Sequence, residues 1–347
     1  MAKRGIVLMN LGSPDSTEVP DVKRYLDEFL MDKRVIDYPY LFRLLLVKGI
    51  ITPRRAPESA KAYASIWTKE GSPLIVLTRQ LKEALQQKIE EPIAIAMRYG
   101  NPTPAAAFDE LLQHNPDMEE VIAVPLYPHY AIASYETAVE YAKEKYQEKS
   151  YPFTLAFIKP FFDEAGYIKA MVENIRPYLN EPYDHILFSY HGIPARHLTK
   201  VDPTGNHCMK INDCCNTPSP AHKVCYRHQC FETTKLVTQA LQIPKDKFSI
   251  SFQSRLGRGW LQPFTDVRLE QMPKEGIKKL LIISPAFISD CLETLEELEE
   301  RGKETFIEAG GTHYKMIPCL NIHPLWVDAL QSWVNEIKLG NREMILS

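Results

Sequence analysis

The chain has 347 residues, 45% of them hydrophobic and 24% charged, with a formal net charge of -3 at pH 7. That length exceeds what a single hydrophobic core usually serves, so two domains are expected. The near-neutral charge, with no basic stripe longer than a local pair or triplet, excludes electrostatic nucleic-acid binding, and no stretch reaches the roughly 18 to 20 uninterrupted apolar residues that span a bilayer.

The opening segment, MAKRGIVLMNLGSP, sets a basic pair before an apolar stretch too short for a secretory core, so a cytoplasmic location is expected. Gly5–Met9 reads as the first strand. Next comes the greasiest segment, Tyr38–Ile51, which nonetheless contains Arg43 and Lys48. It suits a buried or half-buried helix, the lip of an apolar pocket, or a peripheral contact with a membrane surface.

Helical periodicity at Gln80–Ile89, Ala105–His114 and Tyr135–Tyr146 then alternates with strand-like runs at Ile93–Met97, Val121–Leu126 and Thr154–Ile158. The boundary near Phe161–Glu164 closes a first domain over 1–160. The second half repeats the scheme over 161–320, with helices at Tyr167–Leu179 and Thr233–Leu241. Its strands are expected at His185–Ser189, Phe248–Phe252, Leu280–Ser284 and Tyr314–Ile317. A final helix, Pro324–Ile337, carries Trp326 and Trp333, and 321–347 is expected to pack back on the first domain. Four strands alternating with helices in each half predict two α/β domains, each a four-stranded parallel sheet flanked by helices, with right-handed crossovers. An internal echo supports the halves: VIAVPLYP and LLIISPAF both break at a proline and precede a Glu-Thr pair, Glu136-Thr137 and Glu293-Thr294. Neither GxGxxG nor GxxxxGK[ST] occurs, so the doubly wound fold need not hold a nucleotide.

Two features carry chemistry. After the Leu280 strand, Asp290, Glu293, Glu297 and Glu300 recur at steps of three, four and three, which would align them on one face of an α-helix. Such a row either faces water or handles protons or hard cations. In LFSYHGIP, His191 stands at the end of another strand; if the two strands are neighbours, an imidazole faces the Glu293 carboxylate. That pair can hold a divalent cation in an incomplete shell or accept protons from a substrate.

Between 197 and 231 lie five of the seven cysteines: Cys208, Cys214, Cys215, Cys225 and Cys230. Disulfides are disfavoured in a reducing cytoplasm, so a metal site is the favoured reading. The spacing lacks CxxC pairs and does not indicate a zinc ribbon, although His207, His222 and His228 can complete a Cys/His zinc site.

LFSYHGIP, FQSRLGRGWLQPFTD and SPAFISDCLETLEEL, with GIVLMNLGSP, PRRAPESAKAYASIW…GSPL and MRYGNP before them, resemble the motifs of the ferrochelatases from Gly5 to Ile337. The resemblance implies two Rossmann-like, chelatase-like domains, with 38–55 as the lip of a porphyrin pocket. It implies insertion of Fe2+, a substrate here, into protoporphyrin IX with loss of two protons. His191 and Glu293 are then the catalytic pair and the contacts of the incoming iron, while Asp290, Glu297 and Glu300 relay protons or iron. Leu11, Arg55, Tyr63, Ser72, Arg98 and Trp260 carry over as porphyrin-binding positions. Leu11 stands where chelatases of coproporphyrin tend to have tyrosine, which favours the protoporphyrin type. Cys291 replaces a histidine of some relatives and reads as a softer ligand or a buried thiol. One class of the family holds a [2Fe–2S] cluster on an internal segment, implying Cys208, Cys214, Cys215 and Cys225 as ligands; Zn2+ is the alternative. The competing functions are a cobalt, nickel or coproporphyrin chelatase, and a haem or porphyrin binder without turnover.

Overall fold

The computed structural model describes residues 3–255, 257 and 259–346. Eight strands build two parallel four-stranded sheets. The first orders β1 (Arg4–Ser13), β2 (Ile93–Gly100), β3 (Glu120–Pro125) and β4 (Thr154–Phe157) as β2-β1-β3-β4. The second orders β5 (His185–His191), β6 (Phe248–Gln253), β7 (Lys279–Ile283) and β8 (His313–Met316) as β6-β5-β7-β8. The expected α/β architecture is present in both halves. Ile6, Val7 and Leu8 of β1 and Ile186, Leu187 and Phe188 of β5 are fully buried, which is why these strands read as continuous apolar runs rather than alternating ones.

Parallel neighbours cannot be joined by a tight turn, so helices run between successive strands. In each sheet the chain lays its second strand on one side of the first and its third strand on the other. The reversal creates a switch point at the carboxyl ends of β1 and β3, and of β5 and β7, where open α/β sheets bind their ligands. In the second sheet the pairing also ends unevenly. β7 pairs with β5 only as far as Phe188↔Ile283, whereas β5 continues beside β6 to His191↔Gln253.

Two compact units follow the sheets: Met1–Leu126, Ile132–Lys159 and Leu330–Ser347 form one, and Tyr127–Ala131 with Pro160–Ala329 the other. The chain passes from the first unit to the second between Lys159 and Pro160. Tyr127–Ala131 and the stretch 321–329 belong to the second unit, so the division in the C-terminal region falls inside the helix Pro324–Lys338 rather than before it. Trp326, fully buried, stacks on Phe161 at 5.4 Å and meets Tyr167 edge-on at 6.2 Å within the second unit.

A helix at Val19–Leu30 was not among the expected elements, although Pro20 at its start and the buried Val22, Tyr25, Leu26 and Leu30 give it a one-faced pattern. The greasy segment forms a helix at Tyr40–Leu44 that runs into a π-wound turn, Leu45–Ile51. It is half-buried, with Arg43 and Val47 inside and most of its large apolar side chains facing outward. Tyr40, Leu41, Phe42 and Leu45 are 54–72% exposed, and no helix among the described residues is long and apolar enough to cross a membrane. Arg43 points the other way and donates to the carbonyls of Ile36 and Tyr38.

The first unit encloses a buried charged network around Asp32. The Arg98 guanidinium donates to Asp32 at 2.5 Å and to Thr137 at 2.7 Å, Thr137 donates to the same carboxylate, and the Tyr99 hydroxyl adds a bond of 2.9 Å. Burial by itself would raise the Asp32 carboxyl, but the Thr137 and Arg34 hydrogen bonds, the Arg98 charge and Tyr99 hold it below the usual carboxylate range. A carboxyl lowered by folding adds stability above its unfolded value, about 3.9, and that stability is lost as pH falls through the folded value. Asp32→Ala should therefore cost roughly 3–5 kcal/mol at pH 7 by stranding the Arg98 charge. Urea unfolding at pH 7 and pH 3 is the check, and a cost that does not shrink at pH 3 would exclude the ionic origin.

Candidate active site and cysteine nest

His191 is the last residue of β5, and Gly192 lets the chain turn sharply behind it. A Cβ on Gly192 would come within 2.6 Å of the Gln253 carbonyl and 3.3 Å of the Trp260 ring, so only glycine permits this approach. Trp260 therefore packs its ring over Gly192, pinned by a bridge to Pro194. The half-buried imidazole meets Phe287, from the connection after β7, edge-on at 6.2 Å.

The carboxylates do not form a single row. Residues Glu293–Gly302 wind as a π-helix, and Asp290 precedes it. In a π-helix, with i→i+5 bonding, more residues make up each turn, so a residue seven positions on no longer returns to the same face. Glu300 is accordingly exposed. Asp290 is buried and spent on structure: it accepts from Asn321 Nδ2 at 2.6 Å, Thr294 Oγ1 at 3.0 Å and the Cys319 N–H at 3.2 Å. Glu293 and Glu297, one wide turn apart, remain together.

Glu297 is gripped at both oxygens. The Ser254 N–H donates to Oε1 at 3.0 Å and its hydroxyl to Oε2 at 2.6 Å. Ser254 achieves this double contact with a left-handed backbone, φ 59°, directly after β6. No pattern in FQSR announces that conformation, and the sequence reading missed the residue. Burial raises the Glu297 carboxyl above its usual range and the Glu293 charge adds to the rise, while Ser254 and the nearby His191 pull it down. Glu297 thus lies within electrostatic reach of both His191 and Glu293. Burial also pushes the Cys291 thiol far up, and the Glu293 carboxylate that it hydrogen-bonds adds to the shift, so Cys291 is a neutral thiol beside Glu293.

The other positions singled out in the sequence lie as follows. Leu11 is half-buried on β1, Arg55 is exposed on the helix Thr52–Ile66, and Tyr63 is buried on that helix, edge-on to Tyr25 and Trp67. Ser72 is buried at the start of the helix Pro73–Gln86. Arg98 has its guanidinium in the Asp32 network, stacked on the rings of Tyr99 at 4.2 Å and Tyr141 at 4.4 Å.

In the cysteine-rich segment all the thiols are free and buried. Asp202 organises its start, accepting from the backbone of Thr204, His207 and Cys208 and from the Thr204 hydroxyl. Cys225, at the N-cap of the helix Tyr226–Ala240, is hydrogen-bonded first by the Cys215 thiol, then by the His228 N–H and the Cys208 thiol, and is drawn down to about 6. Its two thiol partners move the opposite way: burial pushes Cys208 up to about 12, and the bond to Cys225 raises Cys215. The Arg227 guanidinium lies 3.6 Å from Cys215 Sγ and 3.9 Å from Cys214 Sγ. Cys208, Cys214, Cys215 and Cys225 therefore interact as one nest, while Cys230 lies a helical turn beyond. The three histidines each bond a backbone carbonyl through one ring nitrogen. His207 Nε2 and His222 Nε2 both bond the Cys214 carbonyl, and His228 Nδ1 bonds that of Cys215. A carbonyl only accepts, so each of those nitrogens carries a proton and is not a ligand. Among the described residues, no group of three or more His, Cys, Asp or Glu side chains could hold a metal ion.

A carboxyl whose pKa is raised by folding adds stability below its unfolded value, about 4.3, and withdraws it as pH climbs through the folded value. Glu297→Gln should raise the melting temperature relative to wild type at pH 7 and lose that advantage near pH 4. Equal differences at both pH values would show that Glu297 does not titrate in this way.

The ferrochelatase family model matches residues 3–338. The ferrochelatase of Opitutus terrae is 50% identical over 338 residues, covering 96% of this chain and 97% of that protein. The ferrochelatase of Pseudomonas entomophila is 49% identical over 333 residues, covering 95% and 98%. The solved structure of SirB from Bacillus subtilis with Fe3+ shares the fold at a TM-score of 0.53 and 14% identity, with 99% of each chain covered. With the family model spanning nearly the whole sequence and relatives at half identity end to end, the chain belongs to the ferrochelatase family.

Proposed function

We propose that this protein inserts Fe2+ into protoporphyrin IX to give protohaem, releasing two protons, as the terminal step of haem synthesis. The observation that carries the reading is that Glu297, on the π-helix after β7, feels both His191 from the end of β5 and its helix neighbour Glu293. Insertion requires two pyrrole N–H protons to leave as two Fe–N bonds form and the metal sheds its water. An imidazole and a carboxylate supply the acceptors. Glu297, with its pKa shifted toward neutrality, is suited to take a proton onward from Glu293. Trp260, whose ring packs over Gly192, offers an aromatic face for the macrocycle.

Asp290 is left out of this relay. Its carboxylate is consumed by three internal donors, so its work is to hold the connection ahead of the π-helix. Glu293→Gln should keep porphyrin affinity and lower the insertion rate by on the order of a hundredfold or more. Porphyrin fluorescence quenching and a stopped assay with Fe2+, Co2+ and Ni2+ in parallel are the measurements. Undiminished turnover in the variant would remove Glu293 from the mechanism, and preference for another metal would overturn the iron assignment.

For the cysteine nest we propose a [2Fe–2S] cluster on Cys208, Cys214, Cys215 and Cys225. Such a cluster asks for two thiolates on each of two irons rather than a single closed shell. Four buried thiols that interact with one another, one already acidic and two beside a guanidinium, support that reading. When bound, the cluster supplies one-electron redox chemistry and cross-links the segment; metal insertion does not run through it. Anaerobically purified protein should contain equal amounts of iron and acid-labile sulfide and show visible absorption that bleaches with dithionite, and Cys225→Ser should lose both. Stoichiometric zinc without sulfide would overturn the assignment.

A further inference from the structure

The segment that carries Glu293 is fastened to the sheet from the side of β7 that faces away from β5, by the chain that follows β8. β8 pairs with β7 as far as Ile282↔Met316, and the Ile317 N–H continues the ladder to the Ile282 carbonyl at 2.8 Å. Just beyond stands Asn321, left-handed at φ 47°, with its N–H on the Ile288 carbonyl at 2.8 Å. That turn aims both ends of the amide at one residue. Asn321 Oδ1 accepts from the Asp290 N–H at 2.9 Å, and Nδ2 donates to Asp290 Oδ2 at 2.6 Å. The other carboxylate oxygen, Oδ1, takes the Thr294 hydroxyl at 3.0 Å and the Cys319 N–H at 3.2 Å. Asparagine suits the place on two counts: its amide presents a donor and an acceptor side by side, and it tolerates a left-handed backbone that most side chains avoid.

Glu293 lies inside a ring that these bonds close. The chain leaves at Asp290 and returns at Thr294, whose hydroxyl donates to the Asp290 carboxylate and accepts the Cys291 N–H at 2.9 Å. Thr294 is fully buried, and its own N–H goes back to the Cys291 carbonyl at 3.2 Å. Cys291, held at both backbone ends, hydrogen-bonds Glu293 through its thiol. Within such a ring Glu293 cannot shift without Asp290. We propose that Asn321 is a positioning residue for Glu293: its amide fixes where the ring, and with it the acceptor carboxylate, stands at the end of the sheet. The inference rests on the reading of Glu293 as a proton acceptor, and it places control of that acceptor in the chain after β8.

Asn321→Gly keeps the left-handed turn and removes both amide contacts. In an insertion assay with Fe2+ and protoporphyrin IX it should keep the porphyrin KM while kcat falls about tenfold or more, the split expected when a reacting group drifts. Adding Asn321→Gly to Glu293→Gln should cost little further, because the carboxylate to be positioned is gone. A reciprocal exchange identifies the contact. Asn321→Asp alone sets carboxylate against carboxylate, Asp290→Asn alone sets donor against donor, and each should lower kcat. Together they restore the bond with its direction reversed: the amide at 290 donates to the carboxylate at 321, which still accepts the 290 N–H, while Thr294 and Cys319 keep their acceptor. The double variant should return to within a few-fold of wild-type kcat. Full kcat in Asn321→Gly, a loss that appears only in KM, or a double variant no faster than Asn321→Asp overturns the proposal. If Asn321→Gly does not fold, the exchange still decides, since it retains both bonds. Glu293→Gln assayed alongside separates the two readings. Undiminished turnover there defeats the acceptor role itself, whereas a slow Glu293→Gln beside a full-speed Asn321→Gly defeats only the positioning.

Discussion

The second unit depends on where one strand stops pairing. Because β7 leaves β5 at Phe188↔Ile283 while β5 runs on to His191, the sheet opens a notch at its switch point. Into that notch come the groups that matter: His191 from the strand that continues, the Phe287 connection and the π-helix from the strand that ended, and Ser254 from the end of β6. Where the pairing with β7 has ended, the His191 carbonyl takes the Tyr226 hydroxyl at 2.9 Å instead, since a backbone acceptor without a strand neighbour must find another donor. A single constraint of backbone hydrogen bonding thus assembles the reactive groups.

Side chains of one type are given different work by their surroundings. Asp290, Glu297 and Glu300 are all carboxylates near the same helix. Three donors fasten Asp290 as an internal cap, water surrounds Glu300, and burial beside Glu293 leaves Glu297 with a raised affinity for protons. The thiols divide in the same manner. Cys225 accepts hydrogen bonds and is acidic, while Cys291 donates to a carboxylate and stays neutral. Net charge or residue counts would not separate these cases; the number and polarity of hydrogen-bond partners does.

The two units repeat one plan with different chemistry. In both, the third strand of the central trio leads to a π-wound segment and a buried threonine that donates to a buried aspartate: Thr137 to Asp32, and Thr294 to Asp290. The first unit adds Arg98 and closes its aspartate into an ion pair; the second caps its aspartate with Asn321 and leaves a glutamate available one residue before the threonine. The Glu-Thr echo in the sequence is the trace of that shared plan. It does not reveal that one copy is neutralised and the other is not, because Arg98 lies 39 residues from Thr137 along the chain.

The amino-acid sequence by itself determined the eight strands and their parallel arrangement, because continuous apolar runs and proline-ended strands are local properties. The same holds for the cluster of cysteines, whose density is visible without coordinates. The tertiary structure decided which carboxylates share a face, since helix winding at Glu293–Gly302 follows from packing and not from composition. It also decided that Asp290 is a cap, that Ser254 grips Glu297 through a left-handed residue, that Arg98 faces Asp32, and that Tyr226 reaches His191. Each of these rests on a contact between residues brought together only after the strands pair, and spacing along a chain carries no record of the direction in which a hydrogen bond points.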